Sequence, residues 1–409
     1  MDQKTKISLL HTSKTFCMFP WVHLYVNPKG QVYPCCTSTQ SEPLGSIKTH
    51  TLKEIFNNEK TKQLRMDMAK EVPNEICKMC YESEKYDATS SFRNYSKLEF
   101  ENRFDEIVPE TLSDGTVEPF KMRYLDIRFS NICNFLCRTC GSECSSQWAA
   151  EEKKLGRVDW ITLHADDKKG KLLEEVLEHI DYVDIVYFAG GEPLITDEHY
   201  TILEELIAKG RKNVKLRYNT NCSTSIYKDK DLLSLWKHFK NIDLSCSIDH
   251  YGERAELLRK GTDWGVVESN LFKFRNMKNI NFSLNTVLSA FNYPTIHEFY
   301  DYMIKKQLIL PSDTGHYLTL TPNPNYFSAT ILPLYLKGPS NEHIRKFIET
   351  IPYHKSISNS LENAINFANS AHTWEENKYE FVSHVYVRDK IRQEDLLSVF
   401  PELSPMFLA

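Results

Sequence analysis

The sequence predicts an α/β protein centred on a partial (β/α)6 barrel, with a small cysteine-rich N-terminal domain and a mainly helical C-terminal tail. Three observations carry that prediction. Between residues 122 and 321 short apolar runs alternate with helical stretches, the pattern of βα units on a parallel sheet. The runs number six, where a closed barrel of this kind needs eight. The 11 cysteines are bunched, five within the first 80 residues and four between 133 and 144.

Length and composition bound the rest. At roughly 150 residues per domain, 409 residues give two to three domains and ample core without disulfide staples. Hydrophobic residues at 41% and charged residues at 26% exclude wholesale disorder. Fifty basic against 55 acidic residues leave a net charge of −5, which gives no reason to expect a nucleic-acid partner. The most apolar run, Phe327 to Leu336, is far shorter than the roughly 20 residues of a membrane span and contains Pro333. The first residues lack the apolar stretch of a signal peptide. A cytoplasmic protein with no membrane contact is expected. Disulfides are rare in that compartment, and an odd number of cysteines cannot all pair, so the cysteines read as metal ligands or catalysts.

In chain order, Trp21 to Val26 and Gln31 to Tyr33 alternate about Asn27-Pro28-Lys29-Gly30 and predict a hairpin. Leu52 to Ala69 reads as one helix with Leu52, Ile55 and Phe56 on a single face. Residues 1–95 form the first domain, and 96–120, polar and holding Pro109, Ser113-Asp114-Gly115 and Pro119, a linker. In the core, 121–321, strands are predicted at Met122 to Phe129, Val183 to Phe188, Val214 to Tyr218, Ile242 to Ile248, Ile280 to Leu288 and Tyr317 to Leu320. Helices are predicted between them at Asp197 to Lys209, Asp229 to Phe239, Trp264 to Met277 and Thr295 to Lys306. Alternation puts Tyr124, Asp126 and Arg128 on one side of the first strand, where Asp126 and Arg128 can face a barrel lumen and substrate or form ion pairs. The tail, 322–409, opens on the turn residues Pro322-Asn323-Pro324-Asn325 and reads as helices at Asn341 to Thr350, Ser360 to Ala371 and Tyr379 to Val387, with no recognisable chemistry.

The first core strand leads into Cys133-Asn134-Phe135-Leu136-Cys137-Arg138-Thr139-Cys140, a C-x3-C-x2-C spacing. Three thiolates on one loop suit three irons of a [4Fe–4S] cube with the fourth iron open. Loops after parallel strands are also where active sites of βα folds lie. With Cys144 as a fourth ligand, zinc stays open on spacing alone. The motif, with Asn134 after its first cysteine, resembles that of the radical S-adenosylmethionine (radical SAM) superfamily. The later strand ends resemble the family's other segments in order: Gly190-Gly191-Glu192-Pro193, Asn219-Thr220-Asn221 with Cys222 where glycine is usual, Ser247-Ile248-Asp249, and Arg259-Lys260-Gly261-Thr262 on the next helix. Over residues 122–321 the resemblance implies a barrel of the radical SAM type and a cluster on Cys133, Cys137 and Cys140. It implies SAM contacts from Gly190, Gly191, Glu192, Asn219, Asn221, Ser247, Asp249 and Arg259, the last meeting the SAM carboxylate, with Asn285 and Val287 as further contacts. The implied chemistry is reductive cleavage of SAM to a 5′-deoxyadenosyl radical that takes hydrogen from a substrate.

The N-terminal cysteines form a second set. Cys17 and Cys35 bracket the hairpin as C-x12-G-x4-C, Cys77-Lys78-Met79-Cys80 adds C-x2-C, and Cys36 stands spare beside Cys35. Four thiolates fit zinc or a fully ligated [4Fe–4S] cluster equally well. The context, from Cys17-x2-Pro20-Trp21 through Val26 to Cys36, Leu44 to Ile47, Leu52 to Asn57 and Cys77 to Tyr81, resembles a SPASM domain and more closely its single-cluster form, the twitch domain. The resemblance implies one auxiliary [4Fe–4S] cluster on Cys17, Cys35, Cys77 and Cys80, in a domain that in the family usually follows the core and here precedes it. Cys144, Cys222 and Cys246 read as packing residues, and the Lys168-Lys169-Gly170-Lys171 run as a solvated helix start.

The function so implied is a radical SAM enzyme acting on a peptide or a small molecule such as a sugar, served by a one-electron donor of the flavodoxin or ferredoxin kind. The alternative is a zinc-stabilised, non-catalytic binding protein with a degenerate α/β core.

Overall fold

The computed structural model describes residues 2–85, 91–166, 170–313, 315–320 and 324–408. Nine strands make one sheet: β1 (His23–Val26), β2 (Gln31–Tyr33), β3 (Gly45–Ser46), β4 (Tyr124–Ile127), β5 (Ile185–Phe188), β6 (Lys215–Thr220), β7 (Ile242–Ser247), β8 (Ile280–Leu288) and β9 (Tyr317–Leu320). Their order is β9-β8-β7-β6-β5-β4-β1-β2-β3. Strands β4 to β9, the six predicted core strands, pair in parallel with helices between them. The fold class is the α/β architecture that the strand–helix alternation predicts.

Alternation along each strand sorts residues between two faces. Leu24, Leu125, Val186, Leu216 and Ile242 stand in register across five strands and are buried against the helical layer. On the opposite face the register brings Tyr25 beside Asp126, Tyr187 beside Arg217, and Arg217 beside Asp243. The lumen side is therefore polar and aromatic, while the helix side is apolar, with Phe188 and Tyr218 stacked among its aliphatic residues.

Strand β1 is the unexpected part. It pairs in parallel with β4 over His23 to Val26 and Tyr124 to Ile127, so the N-terminal hairpin continues the core sheet instead of folding apart from it. Asn27 shapes the hairpin turn, its Oδ1 accepting from Lys29 and Gln31 N–H, each at 3.0 Å. At the turn, Gly30 has φ +79°, and a Cβ there would lie 2.4 Å from the Ala165 carbonyl oxygen, so only glycine lets the hairpin tip meet the core.

Several boundaries differ from the sequence reading. The helix predicted from Leu52 to Ala69 is two, Leu52–Phe56 and Glu59–Ala69, because the Asn58 side chain caps the second by accepting from Thr61 N–H at 3.0 Å. The stretch read as a linker begins in helices Phe92–Phe100 and Phe104–Ile107, whose Phe100 and Phe104 enter the core. The helix predicted at Asp229 to Phe239 shrinks to Leu232–Trp236, and a two-stranded ribbon precedes it. The tail helices are longer than predicted, Leu334–Thr350, Lys355–Asn369 and Trp374–Arg392. Lys168, Lys169, Pro322 and Asn323 lie outside the described residues. Among the described residues no helix is long and apolar enough to cross a membrane.

Candidate active site

The C-x3-C-x2-C loop leaves the end of β4 and is fixed from several sides. Asn131 donates from Nδ2 to the carbonyls of Ser142 and Ile161 at 3.0 and 3.1 Å, and its Oδ1 accepts from Leu163 N–H at 2.8 Å. Trp148 Nε1 donates to the Cys137 carbonyl at 2.6 Å. Residues Leu136–Cys137 pair with Arg259–Lys260 as a short antiparallel ribbon that sets Cys137 opposite Arg259. Arg259 thus sits on a strand after the helix Gly252–Leu258, not on a helix as the sequence reading had it. Its Nη1 lies 3.7 Å from Cys137 Sγ, and its Nη2 donates to Asp249 Oδ1 at 2.9 Å.

The loop opens on a cavity of about 410 Å3, within the range of small-molecule sites. Cys133, Cys137, Cys140, Gly190, Gly191, Glu192, Asn219, Asn221, Ser247 and Arg259 all line it, together with Val287. Asp249 lies behind Arg259, its Oδ1 also accepting from Val287 N–H at 2.9 Å, and Asn285 Oδ1 accepts from Thr319 Oγ1 at 2.8 Å. Residues that the sequence reading did not single out for the site also line it, Tyr25 and Pro28 from the N-terminal hairpin and Tyr187 from β5 among them. Cys144, read as a packing residue, is exposed and lines the cavity too, whereas Cys222 and Cys246 are buried as expected. Cys222 has φ +59°, the left-handed conformation that favours the glycine usual at that position in the related segment.

The Gly190-Gly191-Glu192 loop is packed directly onto the cysteine loop. A Cβ on Gly191 would lie 2.0 Å from the Ile132 carbonyl oxygen, which instead accepts from Glu192 N–H at 2.8 Å. The Glu192 carboxylate is spent on bracing: it accepts from Leu194 N–H at 3.0 Å, Thr220 Oγ1 at 2.7 Å and Asn221 N–H at 2.7 Å. Burial pushes its pKa up from 4.5 to about 7, against the pull of those donors. With the folded value raised, Glu192 supports the fold fully below about 4.5 and that contribution is lost as pH rises through about 7. Glu192→Gln is expected to flatten stability across that window and, by leaving one donor unpaired, to cost about 1–3 kcal/mol. Urea denaturation at about pH 5 and about pH 8 measures both, and an unchanged slope would remove Glu192 from this role.

The second thiol set gathers under the hairpin. Thr37 Oγ1 lies 3.4 Å from Cys35 Sγ and 4.0 Å from Cys80 Sγ, and Cys17 Sγ lies 3.1 Å from Ser96 Oγ. Burial pushes Cys17 up to about 12, with Cys35 and Cys80 adding to it. Cys77 is raised by burial and then by Cys17, Cys35 and Cys80. Cys36 turns the other way: after burial, the group that most affects it is Asp126, on the lumen face of β4. Cys133 is likewise raised by burial to about 12, and Cys137 and Cys140 are raised by the same cause.

All eleven cysteines are free thiols. Both sets therefore offer soft sulfur donors that are neutral when unligated and release protons on binding metal, which fits iron–sulfur clusters. Among the described residues no three Cys, His, Asp or Glu side chains converge on a point for one metal ion.

The tail, in which the sequence shows no chemistry, grips the cysteine loop. Arg392 Nη1 donates to the Leu136 carbonyl at 3.0 Å, and its Nε to Glu151 Oε2 at 2.9 Å. Arg388 pairs with Glu151 and Glu152. Arg138, inside the cysteine motif, pairs with Glu394 at 2.7 Å and with Asp389.

Residues 127–307 match the family model of the Radical SAM superfamily, and residues 17–81 match that of an iron–sulfur cluster-binding domain, SPASM. One part of the chain is thus similar to radical SAM domains and another to SPASM domains. The SPASM match comes first in the chain, ahead of the radical SAM match. The cofactors follow: SAM and a [4Fe–4S] cluster for the radical SAM domain, and an auxiliary iron–sulfur cluster for the SPASM domain. The chain is 24% identical over 236 residues to the uncharacterized protein MJ0907 of Methanocaldococcus jannaschii, covering 53% of this chain and 74% of that protein. Among solved structures it is similar to native anSMEcpe with bound AdoMet (18% identity, TM-score 0.38, 64% of this chain and 66% of that one). It is also similar to Streptococcus suis SuiB bound to S-adenosylmethionine (16% identity, TM-score 0.34, 72% and 64%). The chain thus spans just under two thirds of the length of these two structures.

Proposed function

We propose that the radical SAM domain holds its cluster on Cys133, Cys137 and Cys140, and that the protein acts as a radical SAM enzyme on a peptide or small molecule. The observation that carries this reading is the shared cavity: the three thiols, the Gly190-Gly191 loop, Asn219, Asn221, Ser247 and Arg259 open on one space. When bound and reduced, the cluster and SAM together supply a 5′-deoxyadenosyl radical that can abstract hydrogen from an organic substrate. The chain's own residues do the positioning. The Gly190-Gly191 backbone comes close because no side chain intervenes. Arg259, already oriented by Asp249, presents its guanidinium beside Cys137 and is the cation for the SAM carboxylate. Aromatic and apolar walls at Tyr25, Phe135, Tyr187 and Val287 limit water around the reacting centre.

In the same reading Cys17, Cys35, Cys77 and Cys80 saturate the auxiliary cluster, which serves electron transfer or structure and not substrate ligation. The reductant is a one-electron donor of the flavodoxin or ferredoxin kind. Anaerobically reconstituted protein with dithionite is expected to convert SAM to 5′-deoxyadenosine and methionine, read by chromatography and mass spectrometry. Absence of 5′-deoxyadenosine from protein that carries its full iron would overturn the reading. Arg259→Ala is expected to weaken SAM binding by about 1.5–3 kcal/mol, the value of a hydrogen bond to a charged group, measured by equilibrium dialysis.

A further inference from the structure

Part of the cavity wall is built around Arg128, which packs beside Gly190: a Cβ on that glycine would lie 3.1 Å from the Arg128 side chain. This side chain is 8% exposed, lines the cavity, and carries a buried Nη1 with no hydrogen-bond partner. Its guanidinium carbon lies 4.8 Å from the centre of the Tyr187 ring and 5.8 Å from that of Tyr25. Asp126 approaches Nη2 at 2.8 Å, but the contact is an ion pair without hydrogen-bond alignment, and Asp126 is itself fully buried outside the cavity lining. Asp126 thus orients the guanidinium from behind and leaves Nη1 unused.

The neighbouring groups are donors as well. Tyr187 OH accepts from Asn219 Nδ2 at 2.8 Å, which leaves its own proton free to donate. Tyr25, brought here by the pairing of β1 with β4, also lines the cavity. Arg217 lies 5.4 Å from the Tyr187 ring and adds a second positive charge nearby. Among the described residues this buried cation, with an unpartnered N–H, stands beside two phenols and pairs with one carboxylate, Asp126, which lies outside the cavity lining. Buried donors of this kind are ordinarily paired, and a charged acceptor makes the strongest partner.

We infer that the substrate presents a carboxylate to Arg128, held between Tyr25 and Tyr187 in the cavity wall. The inference rests on the radical SAM reading above and names the class of substrate that site accepts, an acid-bearing organic molecule or an acidic peptide. Tyr25 belongs to the SPASM-matched segment, so that segment takes part in selecting substrate as well as in holding a cluster.

The test is binding to anaerobically reconstituted protein with SAM present, by isothermal calorimetry, comparing succinate with its uncharged diamide. Succinate is expected to bind and succinamide to bind at least about tenfold more weakly, with Arg128→Gln weakening succinate by a similar factor. Tyr187→Phe, which keeps the ring and all charges, is expected to weaken succinate by several fold. A blocked tripeptide with a central glutamate, set against its glutamine counterpart, separates the two sources. Acid preference shown only with the peptide assigns the carboxylate to a peptide substrate, and preference with succinate assigns it to a small molecule. Equal binding of acid and amide in both pairs, or succinate binding unchanged in both variants, would overturn the inference. Wild-type protein that binds SAM but discriminates neither pair would overturn this inference alone, whereas failure to bind SAM would overturn the reading beneath it.

Discussion

Cys133→Ala/Cys137→Ala/Cys140→Ala is expected to halve the iron of the reconstituted protein, from about eight atoms per chain to about four, and to abolish SAM cleavage. The two thiol sets are physically separate: Cys133, Cys137 and Cys140 line the cavity, while Cys17, Cys35, Cys77 and Cys80 influence one another beneath the hairpin. Removing one set should leave the other's donors in place. Cys77→Ala/Cys80→Ala is accordingly expected to lose the other four atoms, about half, while SAM cleavage persists in whatever fraction stays soluble. Iron analysis and the electron paramagnetic resonance of the reduced proteins read both results. Retention of all iron in the triple variant would show that the division into two cluster sites is wrong.

The second large effect is expected where the tail meets the cysteine loop. Glu151→Ala should destabilise the protein by about 3–5 kcal/mol, the usual cost of leaving a buried charge without its partner. Glu151 accepts from both Arg388 and Arg392, whose side chains are 3% and 1% exposed; without it Arg388 keeps Glu152, but Arg392 keeps only the neutral Leu136 carbonyl. The comparison is Lys29→Ala. Lys29 pairs with Glu143 at 2.5 Å, a shorter distance than the 2.9 Å of Arg392 to Glu151, yet the Lys29 and Glu143 side chains are 42% and 59% exposed. An exposed pair is worth about 1 kcal/mol or less, so burial decides the ranking and distance does not. Urea denaturation under anaerobic conditions compares the two. Similar losses would mean that the tail does not rely on this buried network. Because Arg392 also holds the Leu136 carbonyl, Glu151→Ala is expected to weaken SAM binding as well.

What the sequence makes legible here is local. The six core strands can be read because alternation and short apolar runs leave a periodic trace, and the C-x3-C-x2-C loop because its three donors lie within eight consecutive residues. The four-thiol set is half legible: Cys77 and Cys80 announce themselves, but choosing Cys35 over Cys36 depends on which way each side chain turns. The structure turns Cys36 toward Asp126, leaving Cys35 with the other thiols. The tail's grip leaves no trace at all, since Arg138 meets Asp389 across 251 residues and Arg388 meets Glu151 across 237. Charges so far apart have no spacing rule. Arg128 was placed on the correct face by alternation, but its aromatic neighbours Tyr25 and Tyr187 come from strands that only the sheet order makes adjacent.

The parallel seam between β1 and β4 also sets an order of events during folding. His23 and its partner Tyr124 are 101 residues apart, so the hairpin is synthesised long before the strand that completes it. Contacts this distant in sequence demand closure of a long loop before they yield any stabilisation, which slows folding. Until β4 emerges, β1 has β2 on one side and unpaired backbone N–H and C=O groups on the other, the kind of open edge that attracts other strands. Pairing with β4 is thus what closes that open edge of the N-terminal segment.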